Sequence, residues 1–132
     1  MDNGATQKSA LGMDGNVTAL IAYLVGIVAL ILIFIEKDNK FVRFHALQAF
    51  FWVLAMVVAM IGVLIIGAIL GGVLSFASGT LGGIVWGLTA LAYVGIILAL
   101  LGGLLYGAIK SFGGNYVKLP FVGNIAEKMA NK

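Results

Sequence analysis

A chain of 132 residues that is 62% hydrophobic and only 10% charged lies far from soluble domains, in which about 25% of residues are charged, so water cannot be its main solvent. It has no cysteine and one histidine, His45, which excludes disulfides, thiolate chemistry and a multi-histidine metal site within one subunit. The net charge of +3 comes from basic residues that flank apolar stretches without interleaved aromatics, which argues against a nucleic-acid partner and for topology signals.

Residues 1–16 are polar and rich in Gly, Ser and Asn, and are expected to form a flexible tail because little in them can bury a core. The run from Val17 to Ile35 holds 19 residues without a charge. It has no basic leader or small-residue cleavage site, so it predicts a retained first span over 17–35. The charged connection Glu36-Lys37-Asp38-Asn39-Lys40 follows, with Asp38-Asn39 as turn chemistry.

From Ala46 to Ile109 there are 64 consecutive residues without Asp, Glu, Lys or Arg, and roughly 20 suffice to cross a bilayer. The cluster of small residues between Ser75 and Gly83 is the one place in that run with turn chemistry, which predicts spans over 41–74 and 84–109. A four-span arrangement is the alternative. Lys110 and the Gly113-Gly114-Asn115 break end the last span. The basic tail 111–132 contains the lone proline, Pro120, and Phe121, Ile125 and Met129 recur every four residues, which predicts a short amphipathic helix on an anionic membrane face. The fold class is therefore an all-α membrane protein with three transmembrane helices and a short C-terminal amphipathic helix.

With three spans, the first connection and the C-terminal tail share a side and hold seven of the eight basic residues, leaving only Lys8 opposite. The excess of Lys and Arg on cytoplasmic loops then predicts a prokaryotic inner-membrane protein with a cytoplasmic connection and tail and the N-terminus outside.

No ionisable residue lies inside the predicted spans beyond the start of the second, which disfavours an ion pump or proton-coupled exporter. Ser75, Ser78, Thr80 and Thr89 have no base near them and no nucleophile-elbow motif, so catalysis is not expected, nor is a cofactor or metal. Gly67, Gly71, Gly79, Gly83, Gly87, Gly103 and Gly107 are spaced for close helix approach, within one subunit or between copies. The most specific segment is Glu36 to Phe50, in which Phe41, His45, Gln48 and Trp52 share one helical face. Such a face suits a lipid headgroup or a partner, and equally suits hydrogen bonds to a neighbouring helix or the Glu36 region.

The segments EKDNKFVRFHALQAF and YVKLPFVGNIAEK resemble the Tic-twenty-like family of small prokaryotic membrane proteins over roughly Gly15 to Lys128. The resemblance points to Lys37, Asp38, Phe41, Arg43, Phe44, His45 and Gln48 in the first segment and to Leu119, Pro120, Gly123 and Glu127 in the second. These proteins are named for likeness to a chloroplast import-translocon component. Magnetosome proteins of the MamF and MmsF kind look like relatives and are linked to magnetite crystal growth, although the outward loop predicted here lacks an acidic cluster to bind iron. The expected role is that of a non-enzymatic accessory subunit or homo-oligomeric scaffold, with membrane lipid and either a second copy or another membrane protein as partners. The alternative is an oligomeric channel or translocation component.

Overall fold

The computed structural model describes residues 4–132 and, among them, five α-helices. Residues 1–3 of the expected N-terminal tail lie outside the described residues. The helices are α1 (Gly15–Leu24), α2 (Gly26–Ile35), α3 (Lys40–Ala77), α4 (Gly79–Phe112) and α5 (Val122–Ala130). The chain divides into two compact units, Met1–Val53 with Gly102–Lys132, and Leu54–Leu101.

The second unit, which carries no Asp, Glu, Lys or Arg, is the antiparallel hairpin made by the distal parts of α3 and α4, joined at Ser78 inside the cluster expected to turn the chain. Its helices touch where side chains are smallest. A Cβ on Gly71 would sit 2.9 Å from the Trp86 indole nitrogen and one on Gly67 would sit 2.7 Å from the Thr89 methyl, so glycine is what permits this approach. The Tyr93 hydroxyl donates to the Met60 carbonyl across the pair at 2.9 Å. Leu, Ile and Val side chains cover the remaining surface. In the most apolar windows of α3 and α4 only 6% and 0% of residues are buried, whereas a core helix of a soluble protein would be mostly buried. Both helices are long and apolar enough to cross a membrane.

The first unit departs from the expected span over 17–35. That stretch is two ten-residue helices, broken at Val25, whose backbone is extended (φ −125°, ψ 97°). A continuous helix over 21 residues would hold its ends about 30 Å apart. Here the ends meet: a Cβ on Gly15, which opens α1, would lie 2.9 Å from the Asn39 amide nitrogen, just beyond the end of α2. α1 and α2 thus form a hairpin that returns to its starting level. One face, with Ala19, Ala22, Ala29 and Leu32, is buried, while Leu24, Ile27 and Phe34 face outward.

The N-terminal segment, expected opposite the first connection, lies beside it in this geometry. The Ala10 amide donates to the Glu36 carboxylate at 2.6 Å and the Asn39 side chain donates to the Gly4 carbonyl at 2.8 Å, so the two segments are in contact. Residues 4–14, expected as a flexible tail, are likewise tied down, with Ser9 Oγ and Thr18 Oγ1 sharing a hydrogen bond of 2.7 Å. The small amphipathic helix of the tail is present as α5, begun two residues later than the proline implied. It docks Val122, Gly123, Ala126 and Ala130 and leaves Phe121 and Ile125 outward, and its Ala126 and Ala130 pack with Phe44 and Leu47 of α3.

Candidate functional site

Four buried polar side chains of the first unit, Glu36, Asn39, His45 and Gln48, gather at the opening turns of α3. Asn39 is the cap: its side-chain oxygen accepts the Val42 amide at 3.2 Å and its backbone carbonyl accepts the Arg43 amide, which satisfies donors that a helix start leaves orphaned. The same side chain donates outward to the Gly4 and Gln7 carbonyls. Glu36, 2% exposed, accepts the Ala10 amide through one oxygen and the Asn39 amide at 3.0 Å through the other. These two residues therefore hold the N-terminal segment against the base of the hairpin.

One turn further along, His45 and Gln48 hold the C-terminal segment. Between α4 and α5 the chain runs without regular structure through residues 115–119, and its peptide groups have no helix or sheet to pair with. His45 Nε2 lies 3.0 Å from the Asn115 carbonyl, Gln48 Nε2 donates to the Val117 carbonyl at 2.8 Å, and Gln48 Oε1 accepts the Leu119 amide at 2.8 Å. Two side chains three apart on a helix thus serve alternate residues of a non-helical strand of chain.

The hydrogen-bond directions close into one consistent set. The Asn115 carbonyl can only accept, so His45 Nε2 carries a proton, and in the neutral ring Nδ1 is then the acceptor. The Tyr23 hydroxyl, 2.8 Å from Nδ1, donates to it and in turn accepts the second Gln48 amide proton at 2.7 Å. Both ring nitrogens and both ends of the Gln48 amide are used. Phe41, Phe44 and Tyr23 meet the imidazole edge to face at centroid distances of 4.5, 4.9 and 5.6 Å, which encloses it in apolar surface.

Of the other residues singled out by sequence, Phe41 and Phe44 are buried in this cluster, and Leu119 is buried above it. Gly123 belongs as well, because a Cβ there would approach Gln48 Oε1 to 3.0 Å and the Lys118 side chain more closely still. Arg43 points to a different side of α3, half-buried, with its Nε enclosed and without a hydrogen-bond partner. Lys37, Asp38 and Pro120 are exposed and take no part in the cluster. Glu127 pairs with Lys118 at 2.6 Å, with both side chains about half exposed, where such a pair contributes at most about 1 kcal/mol.

Among the packing glycines, Gly67, Gly71, Gly103 and Gly107 meet Thr89, Trp86, Trp52 and Tyr23, whereas Gly79, Gly83 and Gly87 meet nothing within 4 Å. Sequence reasoning missed Tyr23, the hub of the network, and read Asn39 as a turn residue. An Asn directly before a long apolar helix was the available signal for a cap. Tyr23 offered none, since a lone tyrosine in an apolar run reads equally as a packing residue.

The description "Magnetosome magnetite crystal formation protein family" fits this chain over residues 8–126, a span that includes α1 to α4, the clamped 115–119 segment and the first half of α5. The chain is 32% identical over 127 residues to the UPF0132 membrane protein MJ1443 of Methanocaldococcus jannaschii, covering 92% of this chain and 93% of that protein. It is 32% identical to MJ1527, a second UPF0132 membrane protein of that organism, over 96% of this chain and 77% of the relative. A UPF0132 membrane protein of Archaeoglobus fulgidus is 31% identical over 88% of this chain and 95% of its own length. No solved structure matches.

Proposed function

The chain belongs to the magnetosome magnetite crystal formation protein family, and on that footing we propose that it is a non-enzymatic inner-membrane protein acting through lateral helix contacts, as an accessory subunit or homo-oligomeric scaffold. One observation carries the reading. The polar groups of the most distinctive segment are spent on the chain's own backbone: Gln48 serves Val117 and Leu119, His45 serves Asn115, Glu36 serves Ala10 and Asn39 serves Gly4. A catalytic or ligand-binding constellation would aim such groups into a cleft.

The hydroxyls of the second unit fit the same reading. Ser75 and Thr89 donate back to the carbonyls of Gly71 and Val85, four residues earlier, as hydroxyls in apolar helices commonly do. What remains available there is an apolar helix surface with glycines open to a close neighbour. The family's link to magnetite formation is best carried here as a membrane-organising role. Growing a mineral needs gathered oxygen donors, and Asp14 and Glu127 are engaged in ion pairs while the Glu36 carboxylate is buried on backbone amides.

The reading is tested by native mass spectrometry of the protein in nanodiscs. The expected result is a defined homo-oligomer or a stoichiometric membrane partner, with the assembled fraction reduced in Gly83→Leu, where the added side chain fills the open face. A protein that stays monomeric and partnerless at every loading would refute it.

A second reading, a channel or translocation component built by oligomerisation, has its own support in the helix break at Val25 and in the resemblance to the import-translocon family. Interrupted helices at membrane depth recur where proteins form transport pathways. Ion or solute flux across proteoliposomes, altered by His45→Ala, would favour this reading over the first. Silent vesicles containing a stable oligomer would favour scaffolding.

A further inference from the structure

The α1–α2 hairpin has a layout that soluble packing does not explain. Each arm has ten residues, about 15 Å, which is half the roughly 30 Å of a bilayer's hydrocarbon. At its base stand Lys8, Asp14, Glu36, Lys37, Asp38 and Lys40, while neither arm contains a charge. At its tip Leu24 and Ile27 are each 61% exposed, and Phe34, close to the base on the return arm, is 72% exposed.

The tip is also economical in backbone polar groups, as hydrocarbon requires. A single residue makes the link: the Val25 amide donates to the Ile21 carbonyl, and the Val25 carbonyl accepts the amides of Val28 and Ala29. A longer loop would strand more peptide groups away from water.

We propose that α1–α2 is a re-entrant hairpin whose tip is inserted among the acyl chains of one leaflet, so that the chain crosses the membrane only twice, through α3 and α4. The N-terminal segment, the 36–39 connection and the C-terminal segment then share the cytoplasmic side. The contacts Gly4–Asn39, Ala10–Glu36 and Asn16–Phe112 join those three segments directly, which a three-span path cannot do. Charge agrees: all eight Lys and Arg residues fall on one side, where the three-span path leaves Lys8 opposite the other seven. The occupant of the exposed Leu24 and Ile27 surface is lipid hydrocarbon, because it lies one helix length from a base ringed by charges, the depth at which a leaflet's acyl chains begin to meet those of the other.

Because the chain has no cysteine, single-cysteine variants report topology without background. Lys8→Cys, Lys37→Cys, Thr80→Cys and Lys132→Cys all replace exposed side chains, so folding should be retained. With a membrane-impermeant maleimide, Lys8→Cys, Lys37→Cys and Lys132→Cys should label in inverted vesicles and lose labelling in right-side-out vesicles. Thr80→Cys should do the reverse. Labelling of Lys8→Cys from the side opposite Lys37→Cys would overturn the proposal and restore three spans. Depth is read separately from spin labels at Ile27→Cys and at Ile31→Cys, about one turn further along the return arm. Both should collide with oxygen and be shielded from a water-soluble relaxation agent. Access of that agent to both positions would place the hairpin outside the bilayer and equally overturn the proposal.

Discussion

Gln48→Leu is expected to lower stability by about 2–4 kcal/mol and to release the chain between α4 and α5, although it swaps one buried side chain for another of similar size. The change leaves the Val117 carbonyl and the Leu119 amide without partners and removes the donor to the Tyr23 hydroxyl. Each buried group left unsatisfied costs about 1–3 kcal/mol, and polar contacts in membrane proteins sit at the lower end of that range. Hydrogen exchange is the sharper readout, because protection at the Leu119 amide depends directly on Gln48 Oε1. We expect that protection to be lost in Gln48→Leu and the detergent-unfolding midpoint to fall. In Lys37→Ala, an exposed site with no role in the cluster, the midpoint should move by no more than about 0.5 kcal/mol. An unchanged Leu119 exchange rate in Gln48→Leu would show that the 115–119 segment is held by something else.

Gly107→Leu should destabilise by about 3 kcal/mol or more, and for a different reason. A Cβ at Gly107 would overlap the Tyr23 ring, whose hydroxyl is the hub joining Gln48 to His45. Overpacking alone costs about 1–3 kcal/mol. If Tyr23 swings away, Gln48 and His45 lose a partner as well, so the packing and hydrogen-bond losses add. Gly95 is the matched control, since a Cβ there meets nothing within 4 Å. Gly95→Leu should be neutral or stabilising by up to about 0.8 kcal/mol, because glycine is a poorer helix former than leucine. The expected order of unfolding midpoints is Gly95→Leu at or above the parent and Gly107→Leu well below it. Equal midpoints for the two variants would mean that α1 does not pack on α4 through this glycine.

Together the two predictions separate roles that the sequence merges. Seven glycines share one spacing, yet four are closed by a specific side chain and three are open, so the same substitution should act on stability at one set and on assembly at the other. The segment from Glu36 to Gln48 likewise reads as a candidate binding surface. In the fold its polar members hold chain segments that have no secondary structure of their own, and Arg43, Lys37 and Asp38 are left outside that task.

Several features could be read from the residues alone because they depend on local sums. Solvent class follows from the scarcity of charge, the turn at Ser78 from the small-residue cluster between two apolar runs, and α5 from a proline followed by a four-residue repeat. Hydropathy, however, is blind to direction. The run over 17–35 has the same sum whether it continues across the bilayer or reverses at Val25, and no proline or polar residue marks the reversal. What decides it is the base of the hairpin, where the Glu36 carboxylate and the Asn39 amide find backbone partners 26 and 35 residues away. The backbone partners of His45 and Gln48 lie 69 to 71 residues away, beyond the reach of any periodicity. Composition therefore determined that this chain lives in a membrane. Only the tertiary structure, by bringing distant unpaired peptide groups to those four side chains, decided which way the first helix runs and which chain segments the polar side chains hold.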